Sequence, residues 1–144
     1  MTMTDSWTIT IYGPGQWLTA NPARAGEWHG RSKLIRAWRE GTVWACKAAH
    51  LPTGITPVTV DALCLYEGRA PVRDRLNLAP TIKACVDALT PARTFTRSGR
   101  TYVTAGYGFL PDDSDKHVLR TDWTLAKTGG SGPPRVELTL TAVA

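Results

Sequence analysis

Cysteine is scarce in this chain of 144 residues: Cys46, Cys64 and Cys85 stand 18 and 21 positions apart, in apolar contexts, with no CxxC pair. An odd count of thiols so placed argues against a disulfide framework or a zinc site and suggests a reducing compartment. The three histidines, His29, His50 and His117, are equally scattered. No apolar run is long enough to span a membrane. The first residues, MTMTDSWTITI, lack the basic and continuous apolar regions of a signal peptide, so a cytoplasmic location is expected. Gly13-Pro14-Gly15 fits neither GxxxxGK(S/T) nor GxGxxG and reads as a turn rather than a phosphate cradle. No GxSxG occurs, and no histidine lies in a pattern that would orient it for a Ser/His/Asp hydrolase. Repeats are absent too.

With 15.7 kDa, 42% hydrophobic and 20% charged residues, the chain has the composition of one globular domain, 1–144, able to bury a real core. Lys and Arg number 17 against 12 Asp and Glu, a formal charge of +5 that favours polyanionic partners.

Residues 8–12 (TITIY) alternate as a first strand. The polar stretch WLTANPARAGEWHGRSK that follows reads as a long loop, with Asn21, Arg24, His29 and Arg31 as side chains to reach a ligand; His29 equally suits a structural role. Over 32–49, Leu34, Ile35, Trp38, Ala45, Ala48 and Ala49 recur at helical spacing. Arg36, Arg39 and Lys47 fall on another side of that helix, either as a solvated face or as a stripe for phosphates. Residues 58–66 alternate as a strand whose second face turns apolar at its end, as an interior strand does.

The stretch RDRLNLAPTIKACVDAL at 73–89 places Pro80 at a helix start, where its missing N–H costs nothing. Ile82, Cys85, Val86 and Leu89 form the inward stripe, leaving Lys83 and Asp87 on the other face. Those two, four apart, equally suit an ordinary surface pair. Yet a cation in the first turn gains nothing from the helix dipole, which suggests another role for Lys83. Residues 90–109 read as an inserted hairpin turning at Ser98-Gly99; Arg93, Arg97 and Arg100 interleave with Phe95, Tyr102 and Tyr107, and no acid is present. A nucleic-acid wing and a soluble exposed loop both fit it. An acidic turn, Leu110 to Asp115, leads to strands at 117–126, with Leu119, Trp123 and Leu125 on one face, and at 135–143. The expected fold class is α/β in the broad sense, more narrowly α+β: a mixed sheet of about four strands, two main helices and the hairpin.

Carboxylates on separate elements, a nearby lysine and no His or Cys cluster suit a hard, oxygen-loving cation such as Mg²⁺ or Mn²⁺. A two-carboxylate glycosidase would use the same residue types, but the basic surroundings fit a phosphate polymer better.

At this point the motif pair RDxxNxxPTxKAxxDAL and GxLPDDSDKHV resembles the RusA-type crossover junction endodeoxyribonucleases, in the version found in actinobacterial phages and prophages. The N-terminal WLTAN and KxxRAWR segments and the final strand are similar as well, so the resemblance covers nearly the whole chain outside 90–107. It implies a homodimer that binds four-way DNA junctions and nicks opposing strands with Mg²⁺ or Mn²⁺. Carried over, the acidic residue before the helix is Asp74, the Asp-Asp pair is Asp112 and Asp113, and the helix lysine is Lys83. The chain departs at Asn77, where better-known members have a second acid. Asn77 can offer the metal a neutral oxygen, and either affinity for the cation is weaker or Asp112 or Asp115 makes up the charge. The expectation is therefore a branched-DNA nuclease with catalytic residues Asp74, Asp112, Asp113 and Lys83, metal ligands Asp74, Asn77, Asp112 and Asp113, and DNA contacts from Asn21, Arg24, Arg31, Arg36, Arg39, Arg73 and Arg75. The alternative, motivated by Asn77, is a junction-binding protein that no longer cuts.

Overall fold

Alternation along the last strand organises the sheet. In β6 (Arg135–Ala142), Val136, Leu138 and Leu140 are fully buried and the residues between them are half-exposed. β6 pairs antiparallel with β1 (Ser6–Tyr12) on one side and with β2 (Val58–Tyr66) on the other. β5 (Val118–Lys127) then adds to β2 in parallel, giving the order β1-β6-β2-β5. The inward face carries Ile9, Ile11, Val58, Val60, Ala62 and Cys64 alongside the three β6 residues, one continuous apolar core. The other face is mostly polar and rich in threonine, with Thr8 and Thr139 hydroxyls 3.1 Å apart across the strands, as expected where one face meets water.

The computed structural model describes residues 5–20, 27–72, 74–128 and 133–144, with the backbone alone at 27–29. The domain is a small α+β fold with two helices, α1 (Glu27–Ala48) and α2 (Ala79–Asp87), and a separate two-stranded ribbon, β3 (Pro91–Arg97) and β4 (Arg100–Tyr107). Short 3-10 turns lie at Arg75–Leu78 and Asp115–His117. The mixed sheet and the hairpin agree with the sequence expectation.

Two details differ. Helix α1 begins at Glu27, so the second half of the polar stretch before residue 32 is helical rather than loop. Few apolar residues occur there to set a period, and the helix is fixed further along by Trp38, which is buried, stacks on Trp17 and donates Nε1–H to the Gln16 carbonyl. Gly13 passes so close to the Trp38 ring that an added Cβ would lie 2.3 Å from it. The second difference is Leu119, 58% exposed rather than sharing a face with Trp123 and Leu125. The β2–β5 register steps from Val58↔Val118 to Thr59↔Arg120, which leaves Leu119 as the extra residue of a bulge and turns it outward.

Candidate functional site

Helix α2 is the floor of the site, and its buried side fixes the chain around it. Ile82 and Cys85 sit in the core, and Thr81, fully buried, bonds both the N–H and the carbonyl of Leu18. The Ala20 N–H donates to the Asn77 carbonyl, and Arg31 donates to the Thr19 carbonyl at 2.6 Å. The 17–20 segment is thereby strapped across the start of α2.

On its open side, α2 faces a groove of about 880 Å³ whose lining includes Arg39, Lys83, Asp87, Arg93, Asp112, Asp113 and Asp115. Three cations thus face four carboxylates, a slightly acidic balance inside a basic protein. The acidic loop is held in place from behind. Phe109 and Leu110 are buried; Ile55 N–H donates to the Phe109 carbonyl and Leu110 N–H to that of Leu89. Asp112 Oδ1 accepts from the Ser114 N–H at 2.7 Å and from His117 Nε2 at 2.8 Å, while the Thr56 hydroxyl meets His117 Nδ1 at 2.6 Å. The Ser114 N–H is the main reason the Asp112 carboxyl lies below its ordinary range, with desolvation opposing and the bond and charge of His117 adding to it. Both bonds fall on Oδ1, leaving Oδ2 for a ligand. Asp113 Oδ2 pairs with Arg93 of β3 at 2.9 Å.

Lys83 does form the helical pair with Asp87, at 3.2 Å, but 76% of its side chain is exposed. Arg39 is committed to the protein: Nε and Nη2 donate to the Ala105 carbonyl at 3.2 and 2.9 Å, Nη2 also to that of Asp87, and Nη1 lies 3.7 Å from the Asp87 carboxylate. Burial lowers its pKa, and Asp87 works against that effect. Arg36 is exposed on α1.

The structure therefore gathers Lys83, Asp112 and Asp113 around one groove, with Arg39 in its wall. It does not put Asp74 among the lining residues. Asp74 caps the 3-10 turn, accepting from the Leu76 N–H at 3.0 Å, and Asn77 lies in that turn. Arg75 is docked on β5, pairing with Asp122 at 3.4 Å and lying over the Trp123 ring, whose Nε1–H donates to the Arg75 carbonyl. Asn21, Arg24 and Arg73 lie outside the described residues. Sequence reasoning missed His117, Arg93 and Asp87 as members of the site. The motif DDSDKH does contain His117 five residues after Asp112, and that spacing within a tight acidic turn is the signal that could have found it.

The donor chemistry fits a hard cation. Mg²⁺ is commonly held by one or two carboxylates, with water and substrate phosphates completing the shell, and the Asp112-Asp113 pair supplies that number. Among the described residues, no three His, Cys, Asp or Glu side chains form a ready-made metal group, so phosphate oxygens would have to complete such a site. Among the described residues no helix is long and apolar enough to cross a membrane.

No protein-family model and no curated protein matches the chain. Several solved chains are similar to it at a low level, among them two structures of hydrogenase maturation proteins. One is a HypE–HypF complex, at 14% identity and a TM-score of 0.37 over 96% of this chain and 32% of that one. The other is the hydrogenase maturation protein HypE with ATP, at 9% identity and a TM-score of 0.38 over 99% of this chain and 30% of that one. The chain spans roughly a third of the length of the chains it matches, and so low a similarity carries no weight for its fold or chemistry.

Proposed function

We propose that the protein is a divalent-metal-dependent endonuclease that resolves four-way or otherwise branched DNA by paired nicks, as a homodimer in the cytoplasm, in recombination and repair. The observation that supports this reading best is the shared groove of Lys83, Asp112 and Asp113, residues from two separate motifs that the resemblance to RusA-type nucleases pairs.

Asp112 and Asp113 would hold the cation. When bound, such an ion polarises the scissile phosphodiester and lowers the pKa of a water. The residues do the rest. His117 and the Ser114 N–H fix one oxygen of Asp112 and so orient the other. Lys83, exposed at the groove, offsets the charge that builds on the phosphate in the transition state. Arg36, together with Arg24 and Arg31, contacts the DNA backbone, and each such contact positions the substrate without reading sequence. Asp74 and Asn77 act as ligands only if the 75–78 turn closes on the groove when DNA is bound.

The Asp113→Asn variant tests this directly. It is expected to lose Mg²⁺-dependent nicking of a synthetic four-way junction by 100-fold or more, on the order of one essential transition-state contact, while still binding the junction in EDTA. Full activity in that variant would sink the assignment. A junction-binding protein that does not cut is favoured by one observation, the position of Asp74 outside the groove. Tight, salt-sensitive junction binding by the unmodified protein, with no cleavage across Mg²⁺ and Mn²⁺ titrations, would decide for it.

A further inference from the structure

The β3–β4 ribbon carries its chemistry on one face. Its register pairs Arg93↔Thr104, Phe95↔Tyr102 and Arg97↔Arg100, residues that alternate onto the same side, while Thr94, Thr96, Thr101 and Val103 take the other. All three cations and two of the three aromatics, Phe95 and Tyr102, therefore share a surface, and the second surface has no charge. That charged face is continuous with the groove, because Arg93, Phe95 and Thr104 line it and Arg93 reaches Asp113.

The ribbon is stiffly mounted. Gly106 lets β4 cross the start of β3 so closely that an added Cβ would sit 2.2 Å from the Thr90 carbonyl oxygen. Arg39 holds the Ala105 carbonyl, and the Tyr107 hydroxyl donates to the Leu51 carbonyl. At the far end Ser98 and Gly99 both have positive φ, 53° and 76°, the tight turn that suits strand twist. Between these ends no described residue covers the ribbon: Phe95 is 47% and Tyr102 39% exposed, their rings stacked at 5.4 Å.

Two features have no structural purpose visible within the fold. Arg97 and Arg100 stand directly opposite each other, a destabilising like-charge pair, and neither has a carboxylate partner among the described residues. A stacked aromatic pair held in water forgoes burial in the core.

We propose that this face is a DNA-binding wing: Phe95 and Tyr102 stack on an unpaired base at the branch point, and Arg97 and Arg100 clamp the phosphates of the strand leaving it. The positive face beside the groove selects a polyanion, and every base offers a face for stacking. The inference rests on the nuclease reading for the position of the branch, but its test does not depend on cutting.

The probe is a four-way junction with 5-iododeoxyuridine beside the branch, bound in EDTA, with a linear duplex of the same sequence for comparison. Irradiation of the unmodified protein is expected to cross-link Phe95 or Tyr102, identified by peptide mass spectrometry. The F95A/Y102A variant should bind the junction about 5- to 100-fold more weakly, with its salt dependence unchanged, and Tyr102→Phe should bind as the unmodified protein does. R97Q/R100Q should lower the slope of log affinity against log salt by roughly 1–2. Junction affinity unchanged in both double variants would overturn the wing, and so would a change in oligomeric state with no change in DNA binding. Mg²⁺-dependent nicking, measured separately, reports on the nuclease reading: nicking with no wing effect leaves that reading standing, and a wing effect with no nicking removes it alone.

Discussion

His117 holds Asp112 from the interior: the residue is 4% exposed and its Nε2 lies 2.8 Å from Oδ1 of a carboxylate on the surface. Through Nδ1 it is tied to Thr56, so the orientation of a groove residue is set by the turn that packs behind the acidic loop.

Replacing His117 by Phe keeps much of the ring's volume and removes both bonds. Junction nicking is expected to fall about 10–100-fold, the usual cost of losing a partner that orients a metal ligand. The Asp112 carboxyl, now held chiefly by Ser114, should titrate at higher pH than in the unmodified protein, which carbonyl NMR without metal would follow. The sign is that of a depressed carboxylate: its contribution to stability is present above the unfolded pKa and is lost as pH falls through the folded one. In the variant the contribution is smaller, and its loss is complete at a higher pH. An unchanged Asp112 titration would show that His117 has no hold on it.

Arg39 and Arg36 lie three residues apart on α1 and should separate cleanly. Arg39→Leu leaves the Ala105 and Asp87 carbonyls without their donor and is expected to cost about 1–3 kcal/mol of stability in urea unfolding. Arg36→Gln should shift stability by no more than about 0.5 kcal/mol and reduce the salt slope of junction binding by about 1. The reverse pattern would exchange their roles.

Burial pushes all three thiols up to about 12, and all three are free. None should react with a disulfide reagent at neutral pH until the protein unfolds, when all should react together. The linkage gives an alkaline limit as well. The unfolded thiols ionise near 9.0 while the folded ones stay protonated to about 12, so their contribution is complete below the first value and drains away between the two. A flat unfolding free energy across that range would contradict the burial of these groups.

The elements were legible wherever one face is buried and the other wet. Val136, Leu138 and Leu140 announce β6, and the Ser98-Gly99 pair announces the hairpin turn. What alternation cannot express is pairing: nothing in residues 58–66 says that β5 runs parallel to them, or that a bulge throws Leu119 outward. The site divides in the same way. Lys83, Asp112 and Asp113 were legible through the motifs, while the links from His117 to Thr56 and from Arg39 to Ala105 join residues 61 and 66 positions apart. Such contacts exist only once the core has formed. Asp74 is the case where the motif and the groove part company, because its carboxylate is spent on capping the turn that follows it.

The position of β6 in the sheet has a consequence for synthesis. β1 and β2 do not pair with each other; each pairs with β6, which emerges from the ribosome after both. Until residues 135–142 are available, a nascent chain holds two strands with open edges and no partner between them, and long-range pairing of this kind is slow. The helices, the ribbon and the acidic turn would all have been made by then, so the groove takes its final shape only when the ribosome has delivered the strand that never touches it.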